Sequence, residues 1–142
     1  MRIRALARPT LLTVLAFVAV TAMLGGIALI LGAVSPSLAT FLSPPPDYLA
    51  GTPFSSYLLP GFVLGLVVGG LHAVAFVLLL RRHPWADLAS ALAAFAVLIW
   101  IFVQMIYIPF SFLQALYFIA GVAEAALVMV RLDLLSRLTT TA

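Results

Sequence analysis

Four uninterrupted apolar stretches, at 10–34, 57–80, 85–108 and 112–130, set the terms for any fold of this chain. A helix needs about 20 mostly apolar residues to cross roughly 30 Å of hydrocarbon at about 1.5 Å per residue, and all four stretches are of spanning length. The expected architecture is an all-α polytopic membrane protein, a single four-transmembrane-helix bundle. Composition agrees: 65% of the residues are hydrophobic and 8% charged, against about 25% charged in a soluble domain. With a mean hydropathy of +1.28, these values exclude a water-soluble globular domain, a disordered chain and a nucleic-acid-binding module.

Between the first two stretches, residues 35–56 have loop composition, with Pro36, Pro44, Pro45, Pro46 and Pro53. The other connections are short enough to be tight turns. Arg2, Arg4 and Arg8 before the first apolar run resemble the start of a secretory signal, and Ser37-Leu38-Ala39 resembles a cleavage site. A signal core is about 7 to 15 residues, however, so a retained first helix is expected.

Arginine sets the expected orientation, because short cytoplasmic loops accumulate basic residues. The chain has no lysine, and its seven arginines all flank apolar segments on one side: Arg2, Arg4 and Arg8 before the first, Arg81 and Arg82 between the second and third, Arg131 and Arg137 after the fourth. The opposite side carries Asp47 and no basic residue. Both termini are therefore expected in the cytoplasm of a plasma-membrane protein, with the proline-rich loop outside. Tyr48, Tyr57 and Tyr107 on the outer side and Trp85 on the inner side suit interfacial aromatic belts.

Helix ends can also be read. Ser111 and Gln114 have the spacing of a capping box, directly after the Ile108-Pro109 stop. Ser55 or Ser56 can cap the second helix, with Pro60 in its first turn. Asp87 falls in the first turn of the third helix, where the helix dipole favours an anion. No repeat at a fixed period is evident.

Small residues let helices approach closely in lipid, where little hydrophobic drive separates or joins them. Gly61, Gly65 and Gly69 recur at i+4 steps and, with His72, fall within about 80° of one helix face. They predict a packing face, with a partner protein or a second copy as the rival use. On the first helix Thr21, Gly25, Ala28 and Gly32 share a face in the same way.

Glu124 is the acid inside a span, and such residues are functional candidates by default. Counting from Arg131 and Arg81 places Glu124 and His72 roughly 10 and 13 Å inside the cytoplasmic boundary, at matching depth. Burial favours the neutral form of each and pairing the charged form, so the proton's location is open. Gln114, Tyr117, Gly121 and Glu124 share a face of the fourth helix. With His72 and Gln104 they make up the candidate ligand or proton site, and Gln104 is further expected to hydrogen-bond to the fourth helix. The alternative for the pair is a buried contact that fixes helix register.

Several chemistries are absent from the pattern. With no cysteine there is no disulfide, thiolate or Cys-ligated metal. One His and one Glu fall short of a metal's ligand set, so neither metal nor cofactor is expected. Phosphate loops, nucleophile triads and facing acids are missing, which argues against an enzyme. Pro45-Pro46-Asp47-Tyr48 matches a Pro-Pro-x-Tyr ligand but reads as a stiff loop.

The strings Pro53-Phe54-Ser55-Ser56-Tyr57-Leu58-Leu59-Pro60-Gly61, Arg81-Arg82-His83-Pro84-Trp85 and Gln114-Ala115-Leu116-Tyr117-Phe118 resemble small, uncharacterised four-span integral membrane proteins of bacteria. The resemblance covers residues 53–130 and implies four helices without a mechanism. Taken together, the expected role is a non-catalytic accessory or assembly subunit of a larger membrane complex, with membrane lipid, a membrane-protein partner or a second copy as neighbours and no nucleic acid. The alternative is a binder or carrier of a small apolar molecule, a lipid or quinone.

Overall fold

A computed structural model of the chain describes residues 2–133, with side chains from Ala5 onward. Five α-helices follow in order: α1 (Arg2–Val34), α2 (Pro36–Leu42), α3 (Leu58–Leu80), α4 (Ala86–Tyr107) and α5 (Phe112–Arg131). No strand occurs among the described residues. Four of the helices, α1, α3, α4 and α5, are long and apolar enough to cross a membrane.

Two boundaries differ from the sequence reading. The first helix starts at Arg2 rather than residue 10 and contains Pro9. Proline there removes the donor for the Ala5 carbonyl, but Ala5 is exposed close to the helix start, where water or headgroups can serve it. The proline-rich segment is not wholly loop either. Pro36 occupies the first turn of α2, where its fixed φ suits a helix start, and Pro46–Leu49 forms a 3-10 turn. Arg137, counted with the basic cluster, lies outside the described residues.

The spans form a ring in which α3 and α5 each pack against both α1 and α4. Consequently α3 faces α5 across one diagonal and α1 faces α4 across the other. Two apolar clusters stack along the axis. One holds Leu11, Leu15, Ala75, Leu79, Ala93 and Val128, the other Val18, Ala22, Val68, Val97 and Ile101.

One end of the bundle gathers the described basic side chains. The α3–α4 turn closes as a Schellman motif: Arg82 adopts φ 55°, and the N–H groups of His83 and Arg82 donate to the carbonyls of Leu78 (2.9 Å) and Leu79 (3.2 Å). Arg8 reaches across from α1 and donates to the carbonyls of Leu79 and Leu80 at 3.3 and 3.2 Å, adding positive charge where the dipole of α3 ends negative. Arg131 at the end of α5 grips Asp87 at the start of α4, with Nε 2.6 Å from Oδ1. Asp87 thus complements the dipole of α4 and pins two helix ends together.

The contact of α3 with α1 brings the two backbones together at glycines. A methyl group placed on Gly26 would lie 2.6 Å from the Cα of Gly65 and 2.7 Å from the Gly61 carbonyl oxygen. One placed on Gly61 would lie 2.9 Å from the Gly26 carbonyl oxygen, and one on Gly69 would lie 2.8 Å from Met23. The apposed face of α1 therefore runs through Ala19, Met23, Gly26 and Ile30, with Gly25 at its edge against Leu64, rather than through the line of Thr21, Gly25, Ala28 and Gly32. Along this seam, Val63–Gly69 is wound as a π-helix, with i→i+5 hydrogen bonds. The wider turn brings every fourth residue closer to alignment along the axis than an α-helix would, so Gly65 and Gly69 stay on the side facing α1.

Candidate functional site

His72 on α3 and Glu124 on α5 meet on the diagonal of the bundle. The contact runs from His72 Nε2 to Glu124 Oε2 at 3.2 Å, and both residues are 0% exposed. In sequence His72 lies between Val68 and Ala75, which belong to different apolar clusters, so the pair sits at the seam between the two. Nδ1 of His72 donates to the Val68 carbonyl at 2.6 Å, one helical turn back. A carbonyl only accepts, so Nδ1 bears a hydrogen. The Nε2–Oε2 contact then needs a second proton, on one atom or the other, and the pair is electrically neutral overall in either arrangement. Glu124 Oε1 has no hydrogen-bond partner among the described residues.

The other residues on the expected stripe of α5 do not join this pair. Gln114 closes a capping box: its Oε1 accepts from the Ser111 N–H at 2.8 Å while Ser111 Oγ accepts from the Gln114 N–H. Tyr117 stacks on Phe17 of α1 with ring centroids 6.0 Å apart. Gly121 lies against Val97 and Leu98 of α4. The stripe therefore faces inward, with each member packed against a different neighbour. No group of three or more His, Cys, Asp or Glu able to hold a metal occurs among the described residues.

A long apolar concavity lies elsewhere, between α3 and α4. Near the Arg81–Trp85 turn these helices pack closely along Gly70–Leu80, whereas the π segment barely touches α4. The glycine seam explains the divergence: it draws the far half of α3 toward α1 and away from α4. The wedge left open is a groove of about 590 Å³, within the range of about 300–1,000 Å³ usual for small-molecule sites. Its walls are Val63, Val67, Val68 and Leu71 of α3 and Leu92, Phe95, Ala96, Ile99 and Val103 of α4.

The proline-rich segment roofs the far end of this groove through Tyr48, Leu49, Thr52 and Phe54. Tyr57, the residue before α3, holds the roof down by donating its hydroxyl to the Pro45 carbonyl at 2.7 Å. Burial, and after it the neighbouring Tyr48 and Asp47, push the Tyr57 phenol above its ordinary value, so it remains protonated and able to donate at neutral pH.

Gln104 lines the groove beneath this roof, and its side-chain amide makes no hydrogen bond among the described residues. The hydrogen bond to the fourth span expected for Gln104 is not formed. Of the expected site residues only Gln104 faces the groove, while His72 and Glu124 lie behind the α3 wall. Trp100 and Tyr107, also on the groove, were not expected there. Their positions at i−4 and i+3 from Gln104 place all three on one helix face, a signal the sequence does contain.

No protein-family model, curated protein or solved structure matches the chain. The resemblance to small bacterial four-span proteins consequently rests on its short motifs alone.

Proposed function

We propose that the chain binds or carries a small apolar membrane molecule in the groove between α3 and α4, without catalysing a reaction of its own. The observation that carries this reading is an apolar groove of about 590 Å³ with one unpartnered amide, Gln104, on its wall. A polar side chain in hydrocarbon is expensive unless something partners it, and a ligand headgroup would. The accessory-subunit role expected from the sequence has no comparable feature, since the exposed apolar faces of the spans suit lipid as well as a protein neighbour.

Native mass spectrometry of the protein released from mild detergent tests the binding role. A retained non-protein mass is expected on the wild type and should be lost from Ala96→Phe, which fills the groove from the α4 side. Equal spectra for the two proteins, with no adduct on either, would sink the reading.

We further propose that the protein sits in the plasma membrane with both termini cytoplasmic, which places the roofed mouth of the groove toward the outer leaflet. Arg8, Arg81, Arg82 and Arg131 share one end of the bundle, and this is the end the distribution of basic residues assigns to the cytoplasm. The absence of native cysteine makes single-cysteine labelling clean. On intact cells, Ser55→Cys should react with an impermeant thiol reagent and His83→Cys should be protected until the cells are broken. The reverse pattern would invert the topology.

A further inference from the structure

We infer that the occupant of the groove belongs to the isoprenoid-quinone class: a flat, uncharged head with hydrogen-bond-accepting oxygens on a long apolar tail, its head fixed by the Gln104 amide. This rests on the groove being a binding site at all, the reading given above.

Three observations select that chemistry over a phospholipid. First, no charged side chain lines the groove among the described residues. The arginines with described side chains lie at the other end of the bundle, and the formal charge near the roof is the negative Asp47. A phosphate headgroup would find no counter-charge there and one repulsive neighbour. Second, Gln104 offers two unused N–H donors, which match a carbonyl acceptor. On the same face of α4, Trp100 and Tyr107 flank it, one turn to either side, and present aromatic surface to a planar ring. Third, the groove continues from Gln104 to Leu92, about 18 Å along α4 at 1.5 Å per residue, over side chains that are apolar apart from the indole N–H of Trp100. That is a bed for several isoprenoid units, with no charged side chain along it for an ionic group to bind.

Trp100 makes the inference directly measurable, because quinones and brominated acyl chains both quench indole fluorescence. The full-length protein in detergent, carrying Trp85→Phe so that Trp100 alone reports, is titrated separately with a short-tailed quinone and with a brominated phosphatidylglycerol. Thermal melts accompany each variant to establish that it is folded. Saturable quenching by the quinone is expected, with affinity weakened about tenfold in Gln104→Leu, the worth of roughly one hydrogen bond, and saturation abolished in Ala96→Phe. Saturable quenching by the phospholipid but not by the quinone, abolished in Ala96→Phe, would overturn the quinone assignment and leave the groove reading standing. Quinone binding indifferent to Gln104→Leu would overturn the role of Gln104. If neither probe saturates, the groove reading itself falls, and the quinone assignment with it.

Discussion

Gly26→Ala should melt well below the wild type in mild detergent, although it adds one methyl group and exchanges the poorer helix former for the better. The methyl has nowhere to go: 2.6 Å away lie the Cα and the backbone nitrogen of Gly65, and 2.7 Å away is the Gly61 carbonyl oxygen. All three are backbone atoms, so relief requires α1 and α3 to separate. Overpacking costs about 1–3 kcal/mol in soluble cores, and the upper part of that range applies where no side chain can rotate aside. Against it stands a gain of about 1 kcal/mol from replacing glycine in a helix. Gly65→Ala provides the contrast, because its methyl would sit 3.6 Å from the Gly26 Cα, an ordinary contact, and should be tolerated. Gly70→Ala, with nothing within 4 Å, should be neutral or mildly stabilising. Because the same seam tilts α3 away from α4, Gly26→Ala should also disturb the groove. Melting of Gly26→Ala at or above the wild-type temperature would remove the seam from the account of both stability and groove.

These particular residues also show how far the sequence could be read. The four spans were legible because length and apolarity alone decide them in a bilayer. Gly61, Gly65 and Gly69 were visible as a stripe because α3 carries them at one spacing. Their partner on α1 was not, since Gly25 and Gly26 are adjacent and nothing local says which of two faces 100° apart turns toward α3. The π winding of Val63–Gly69 had no readable signature. Pro36 falls in a stretch of loop composition, although at a helix start it is favourable, and this hides α2 in the sequence. Matched depth suggested that His72 and Glu124 meet, but depth along the normal says nothing of lateral position, and the diagonal placement comes from which helices neighbour which. The groove was the least legible feature. Leu92, Phe95, Ala96, Ile99 and Val103 form a stripe whose composition is the same whether it faces lipid, protein or a ligand. Gln104, with Trp100 and Tyr107 on the same face, marks that side of α4, and its isolation from α5 appears once α3 and α4 are seen to diverge.

Replacing Glu124 by leucine should cost roughly 1–2 kcal/mol, read as a lower melting temperature, because it leaves His72 Nε2 without a partner at the centre of the bundle. Losing one partner of a buried ion pair costs about 3–5 kcal/mol in soluble proteins, whereas hydrogen bonds inside membranes average nearer 0.6, and the expected value lies between. Glu124→Gln should be mild. With the Nδ1 hydrogen committed to the Val68 carbonyl, Nε2 can act as an acceptor, and a glutamine amide can donate to it where the carboxyl stood. The double variant His72→Leu with Glu124→Leu should recover part of the loss, since no orphaned polar group remains on the diagonal. Strict additivity of the two single effects would show that the residues do not interact, despite a separation of 3.2 Å. The cycle also separates structure from function, because the pair is the direct polar link between α3 and α5 among the described residues. If the double variant regains stability and still retains the groove's ligand in native mass spectra, the pair serves to set helix register. Regained stability with the ligand lost would instead tie the diagonal contact to the α3 wall, where Val68 both accepts from His72 and lines the groove.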